Sequence, residues 1–207
     1  MTMNPSQLRT AWLAAWQGLG VQRPDEALFA ELLTRHREPH RAYHTLQHLG
    51  ECLDWLAAQG GQANRPAEVA IALWFHDAIY DVQAHDNEQR SADWAERALL
   101  AAGVPDEVAG RIHAMVMATR HDAPPAGGDV RLLVDIDLAI LGAAPERFAQ
   151  YERQIRIEYA HVPAADFEKR RREILGAFLA RDPLYRTPSM RTALEAAAHR
   201  NLRMAIG

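Results

Sequence analysis

Cysteine and lysine are nearly missing from this chain of 207 residues, which has one of each, Cys52 and Lys169. A single cysteine excludes an intrachain disulfide and any zinc site that needs several thiolates. The formal net charge is −4 at pH 7, although 23 residues are Lys or Arg. Because a protein that binds nucleic acid needs a concentrated positive surface, we do not expect a nucleic-acid partner. We expect Cys52, which lies in an apolar segment, to be a core residue.

Long apolar runs are also missing. No stretch approaches the roughly 20 apolar residues of a membrane-spanning helix, and the first residues do not have the pattern of a secretion signal. Hydrophobic residues still make up 48% of the chain and charged residues 24%, which excludes a disordered chain. We therefore expect a globular cytoplasmic protein with no membrane partner.

Strand signals are scarce, because alternating β-branched residues are few and no Asn-Gly hairpin turn is present. Alanine, with 38 residues, favours helix nearly throughout together with Leu, Glu and Arg. The sequence predicts an all-α fold, a single-domain helical bundle over residues 1–207. Prolines and glycines divide it into helical segments at about residues 5–17, 25–36, 43–59, 66–79, 88–102, 105–120, 129–141, 145–160, 164–181 and 188–205.

Histidine, by contrast, is abundant and clustered. Six of the ten histidines lie within one stretch of fifty residues: His36, His40, His44, His48, His76 and His85. His44 and His48 share one helix face if the helix begins near residue 43. They then either present two imidazoles to one site or are ordinary polar residues near a helix start. Pro39 separates His36 from His40, so we expect these two to be structural or exposed.

Acidic residues interrupt two apolar segments. His76 and Asp77 lie within Ala72–Asp81, and Asp81 is one helical turn beyond Asp77. A buried carboxylate is costly unless a partner satisfies it, and that partner is either a metal ion or a neutral histidine. Asp135 and Asp137 lie in a second such segment, where only one of them can enter a given site. Mixed imidazole and carboxylate ligands suit Mn, Fe, Co, Ni or Zn better than Ca.

The order of His48, His76-Asp77 and Asp137 resembles the HD superfamily of metal-dependent phosphohydrolases. In this family a first His, a distant His-Asp pair and a later Asp lie on separate helices. The chain is particularly similar to a small bacterial group of predicted HD hydrolases, in which Tyr-His-x-x-x-His precedes Phe-His-Asp and a late Asp-x-Asp-Leu. The resemblance implies an HD-type helical bundle with its motif-bearing core at about 40–145 and C-terminal helices at about 145–205.

The resemblance also implies a site. His44 is the expected proton donor, and Asp81 is expected to orient or deprotonate the attacking water. Tyr80 stands where alarmone-hydrolysing members carry Glu, which argues against that substrate. The expected cofactor is one divalent ion, which is Mn, Fe, Co, Ni, Zn or Mg. Its expected ligands are His48, His76, Asp77 and Asp137, with Asp135 as a competitor for the last position.

His113 and His121 lie where family members that hold two ions carry extra histidines. We favour a single ion, in which case His121 is a candidate substrate contact at the pocket mouth. Arg41 and Arg120 adjoin the motif segments, and each is either a phosphate clamp or a solvated surface arginine. Glu88 follows the His-Asp segment and is a candidate supporting residue.

The leading hypothesis is an enzyme in which metal-activated water cleaves a phosphomonoester or phosphodiester of a small, nucleotide-like substrate. One alternative is an HD-type oxygenase with a di-iron site, which would need His113 or His121 as ligands. Another is a non-catalytic helical module that binds a metal or a partner. Self-association into a homo-oligomer through an apolar helix face stays open.

Overall fold

The computed structural model describes residues 3–59 and 61–207. These residues form ten α-helices and no β-strand, so the all-α prediction is confirmed. None of the helices in these two ranges has the length and apolar character needed to cross a membrane. The helices are α1 (Pro5–Gly18), α2 (Glu26–Arg35), α3 (Leu46–Gln59), α4 (Pro66–Phe75), α5 (Asn87–Ala101), α6 (Asp106–Met117), α7 (Gly128–Asp137), α8 (Pro145–Glu158), α9 (Ala164–Leu179) and α10 (Pro188–Ile206), with short 3-10 turns at Ala118–Arg120 and Leu138–Gly142.

The residues group into two compact units, Met1–Val134 and Asp135–Gly207. The first unit contains the predicted residues His48, His76 and Asp77, and the second contains Asp137. The prediction that residues 1–207 form one HD-like domain stays a prediction.

Helix α4 is the central helix of the first unit. Apart from Glu68 it is apolar on every side, and Val69, Ile71 and Leu73 are fully buried, as expected of a helix surrounded by other elements. Helices α1, α3, α5 and α6 pack against it. Aromatic rings extend this core, since Trp12 packs edge-on against Trp74 with 5.2 Å between the ring centroids. The end of α4 is therefore held in a rigid setting.

Two carboxylates hold the start of α4. The buried Glu68 accepts hydrogen bonds from Nε and Nη2 of Arg111 on α6, at 2.9 and 2.6 Å. Asp129 at the start of α7 accepts the backbone N–H groups of Asn64 and Arg65 at 2.8 and 3.0 Å. These bonds satisfy polar groups that would otherwise be buried without partners.

The helices that carry the motifs are shorter than the sequence predicted. Helix α3 begins at Leu46 rather than near residue 43, because the Thr45 hydroxyl caps it by accepting the N–H of Gln47 at 3.3 Å. Helix α4 ends at Phe75 rather than at 79. The prediction that His44 and His48 share a helix face is therefore wrong, and His44 lies in the turn before α3.

The second unit is built around the turn Leu138–Gly142, against which α8 and α10 pack. The side-chain amide of Asn201 on α10 donates to the carbonyl oxygens of Leu141 and Ala143, both at 2.9 Å. A Cβ atom at Gly142 would lie 2.7 Å from Cβ of Leu194, so only glycine permits this close approach.

His36, which follows α2, is a structural residue, as one of the two sequence alternatives proposed. Only 1% of its surface is exposed. Burial and, to a lesser extent, the charge of Arg41 lower the pKa of His36 from 6.5 to about 3. The folded state therefore holds this imidazole neutral at pH values where the unfolded chain protonates it.

We expect the His36→Leu variant to resist mild acid better than the wild type. Between pH 6.5 and about 3 the unfolded chain binds one proton more at this position, so the free energy of unfolding falls as the pH falls. The contribution is up to about 1.4 kcal/mol per pH unit. Urea unfolding in chelator at pH 7.5, 6 and 5 should show a shallower pH dependence for His36→Leu, while the exposed His85→Leu control keeps the wild-type slope. Equal slopes in all three proteins would refute the assignment.

Candidate metal centre

Three of the four predicted metal ligands come together in the first unit. His48 lies in the first turn of α3, and His76 and Asp77 follow the last residue of α4. The Nε2 atoms of the two histidines are 3.2 Å apart. Oδ2 of Asp77 lies 3.1 Å from Nε2 of His76 and 3.5 Å from Nε2 of His48. These three atoms form a nearly equilateral triangle.

The triangle has the size of one face of a metal coordination shell. A circle through the three atoms has a radius of about 1.9 Å, slightly less than the roughly 2.0–2.2 Å that separates a transition metal from imidazole or carboxylate ligands. A single ion can therefore contact all three atoms. Oδ2 of Asp77 is buried and has no hydrogen-bond partner in the described part of the chain, although 17% of the side chain is exposed. The residues present fit a divalent transition metal.

Hydrogen bonds fix the orientation of both imidazoles. Nδ1 of His76 is 2.8 Å from the carbonyl oxygen of Leu73. Because a carbonyl can only accept, this nitrogen carries the proton and Nε2 presents its lone pair to the cluster. The hydroxyl of Tyr43 lies 3.0 Å from Nδ1 of His48 and holds the second ring. Such supporting contacts are typical of metal-ligating histidines.

Electrostatics at Asp77 favour a bound cation. Burial opposes its ionisation, but His76, His44 and His48 in their protonated forms outweigh burial and lower the pKa of Asp77 well below 3.8, and a bound cation would take the place of those protons. Two imidazole nitrogens 3.2 Å apart also require a proton or a cation between them, since their lone pairs repel each other. A metal ion satisfies both conditions together.

Arg41 joins the two segments that carry the ligands. Its side chain is fully buried, and all five of its N–H groups are used. Nε and Nη2 donate to Glu38, Nη1 donates to the carbonyl oxygens of His44 and Asp77, and Nη2 also donates to that of Ala78. Both alternatives that the sequence suggested for Arg41, a phosphate clamp and a solvated surface residue, are therefore wrong. Its role is to hold the loop before α3 against the chain after α4.

The two predicted catalytic residues lie in different surroundings. The half-buried ring of His44 packs on Tyr80 with 4.1 Å between the centroids, and its charge acts on Asp77. Asp81 is exposed, and its Oδ1 accepts the backbone N–H of Gln83 at 2.9 Å within a turn. His44 is therefore close enough to the triangle for its charge to act on Asp77, whereas Asp81 forms a hydrogen bond within its own turn. Both catalytic roles stay predictions.

The two competing acids are distinguished within the second unit. The carboxylate of Asp135 accepts the backbone N–H groups of Arg186 and Thr187 at 2.9 and 2.6 Å, and also the Thr187 hydroxyl at 2.6 Å. It therefore holds the chain just before α10. Asp137, the last residue of α7, is half-buried. Its role as a ligand stays a prediction, and the hydrogen bonding of Asp135 argues against the competitor.

Cys52 lies close to the two histidines of the triangle, which we did not expect from the sequence. It is buried, as expected, and a ligand atom from each of His48, Cys52 and His76 lies within 4.8 Å of the others. Its Sγ is 3.8 Å from both ring nitrogens of His48. A sulfur equidistant from the two nitrogens does not lie along either lone pair, so Cys52 packs against the ring. The spacing His48-x-x-x-Cys52 on one helix was the sequence signal for the contact between Cys52 and His48. Tyr43 in the Tyr-His-x-x-x-His motif was the signal for the contact between Tyr43 and His48.

Three further candidates from the sequence, His113, Arg120 and His121, lie outside the triangle. Nε2 of His113 is 3.0 Å from Oδ1 of Asp93, in a second group between α5 and α6. Arg120 pairs with Asp122 at 3.3 Å, and both side chains are substantially exposed. The half-buried His121 ends the 3-10 turn Ala118–Arg120 with a positive φ of 56°. Its predicted contact with substrate stays a prediction, and so does the number of ions.

No family model, curated protein or solved structure matches this chain. A metal centre is therefore inferred from the triangle of donor atoms and from the hydrogen bonds that support it.

We expect Arg41→Met to destabilise the protein by about 3–5 kcal/mol, because it removes the donor of three carbonyl oxygens and the fully buried partner of Glu38. Arg35→Met is the matched control. Arg35 pairs with the same Glu38 at 3.2 Å but is 41% exposed, so its loss should cost less than about 1 kcal/mol. Urea unfolding of the two variants measures both values. Equal losses would contradict the role assigned to Arg41.

Proposed function

We propose that this protein is a metal-dependent phosphohydrolase of the HD type. In this proposal His48, His76 and Asp77 hold one divalent ion, with Asp137 as the fourth ligand predicted from the sequence. The substrate is a small phosphomonoester or phosphodiester, of nucleotide-like size and charge. The observation that carries the proposal is the triangle of two Nε2 atoms and one carboxylate oxygen with sides of 3.2, 3.1 and 3.5 Å.

The donor set indicates the class of metal. Two imidazoles and one carboxylate suit Mn, Fe, Co, Ni or Zn, whereas Mg and Ca prefer oxygen ligands alone. When bound, such an ion would lower the pKa of a water ligand towards neutrality and polarise a phosphoryl oxygen. Arg41 has no N–H group left to bind phosphate. The negative charge of the substrate would therefore be neutralised mainly by the metal ion and by His44.

His44 is the proposed proton donor to the leaving oxygen. Contact with the rings of Tyr80 and Tyr43 holds its imidazole, with centroid distances of 4.1 and 4.9 Å. A half-buried imidazole beside a carboxylate is suited to general acid catalysis near neutral pH. The proposal does not depend on Asp81, which is exposed and whose Oδ1 accepts a hydrogen bond within its own turn.

A second candidate function follows from the same three donors. Two histidines and one carboxylate are also the ligand set of non-haem iron oxygenases, so oxidative cleavage of the substrate is the alternative. The di-iron form of this alternative would need His113 or His121, and His113 is hydrogen-bonded to Asp93. Iron content and oxygen consumption separate the oxygenase from the hydrolase.

The test of the proposed function is metal analysis combined with hydrolysis assays. Purified protein is assayed with p-nitrophenyl phosphate, its bis ester and a panel of nucleotides, each with Mn, Co, Ni or Mg added. We expect Asp77→Asn and His76→Ala to lose bound metal and to lower the rate by more than about a hundredfold. The exposed His85→Ala control should retain both. The proposal fails if the wild type hydrolyses nothing above the Asp77→Asn background.

The role of His44 is tested by comparing leaving groups. His44→Gln should keep the bound metal and lose about 10²–10⁴-fold in rate on a nucleotide or alkyl phosphate, whose leaving oxygen needs a proton. The loss should be much smaller on p-nitrophenyl phosphate, because p-nitrophenolate is stable without protonation. An equal loss on both substrates would rule out the proton-donor role.

A further inference from the structure

A second group of ligand-type side chains lies apart in sequence from the triangle residues. It consists of Asp93 and Glu96 on α5 and His113 on α6. Nε2 of His113 is 3.0 Å from Oδ1 of Asp93, and one ligand atom from each of the three residues lies within 4.8 Å of the others. All three residues are half-buried, so the group is open to solvent.

The positions of these residues are set by helix geometry and by packing. Asp93 and Glu96 are three residues apart and so share one face of α5. The short connection between α5 and α6 makes the two helices neighbours, and they pack through buried side chains such as Leu99 and Ile112. The three ligands are therefore held on two helices, rather than on a mobile loop.

The charge of the group favours a cation. Hydrogen bonds from His113 and Gln89 lower the pKa of the Asp93 carboxyl below 3.8, which makes it a carboxylate at neutral pH. Glu96 adds a second acid. Arg97 is a neighbouring positive charge that acts on Asp93. Two carboxylates and one imidazole are hard and borderline ligands of the kind that bind Zn, Ni or Co.

We propose that Asp93, Glu96 and His113 form a second binding site, at the surface, for a divalent transition-metal ion. The ion takes the place of the proton through which Nε2 of His113 now bonds to Asp93. Three protein ligands leave the other coordination positions to water. This inference is independent of the proposed hydrolase activity, because none of the three residues belongs to the triangle.

The experiment is a count of bound Zn²⁺ ions by equilibrium dialysis at pH 7.5. The wild type should bind one ion more than either His113→Ala or Asp93→Asn, and both variants should keep the wild-type circular dichroism. His199→Ala is the matched control. His199 lies 3.3 Å from Glu195 on α10 and has the same side-chain exposure as His113, 24%, so its loss should leave the count unchanged.

The difference between the proteins, rather than the total, decides the outcome. If the triangle of His48, His76 and Asp77 bound no metal, every count would fall together and the difference of one ion would persist. Failure of the proposed function is thus distinguishable from failure of this site. Equal counts in the wild type and in His113→Ala would overturn the inference and leave the group as a hydrogen-bonded histidine–carboxylate pair.

Discussion

The buried guanidinium of Arg41 is the interaction on which the candidate site depends. It donates to the carbonyl oxygens of His44, Asp77 and Ala78 and is neutralised by Glu38. Without this cation, the turn before α3 and the chain after α4 would both carry buried carbonyl groups without donors, which is costly. Arg41 therefore fixes the distance between the two segments, and with it the distance between the side chains that they carry.

The chemistry of the site follows from that constraint. Two histidine side chains and one carboxylate approach to within 3.5 Å of one another, with their outer atoms fixed by Tyr43 and the Leu73 carbonyl. Such a group is unfavourable by itself, because imidazole lone pairs repel and Oδ2 of Asp77 lacks a donor among the described residues. A divalent cation relieves both problems, and its Lewis acidity suits an anionic ester. The group around His113 also favours a bound cation, because two acids are its neighbours. This preference is weaker than at the triangle, because His113 is more exposed.

Sequence patterns predicted the all-α fold, and they predicted that His48 and the His76-Asp77 pair share one site. They misplaced the end of α4 at 79 rather than Phe75, and they misplaced the start of α3, which depends on the cap by Thr45, a single hydrogen bond that periodicity does not reveal. The role of Arg41 was beyond sequence reasoning, because two of its acceptors are backbone carbonyls 36 and 37 residues away. The choice between Asp135 and Asp137 likewise depended on Thr187, more than fifty residues later in the chain.

We infer that His48, His76 and Asp77 hold one transition-metal ion through nitrogen and oxygen atoms alone. X-ray absorption spectroscopy of the His113→Ala protein loaded with one equivalent of Zn²⁺ tests it most directly, because this variant removes the proposed surface site. We expect a first shell of nitrogen and oxygen at about 2.0–2.2 Å with the multiple scattering of two imidazoles. A sulfur ligand at about 2.3 Å, which would make Cys52 a ligand, or a spectrum without imidazole scattering would contradict it.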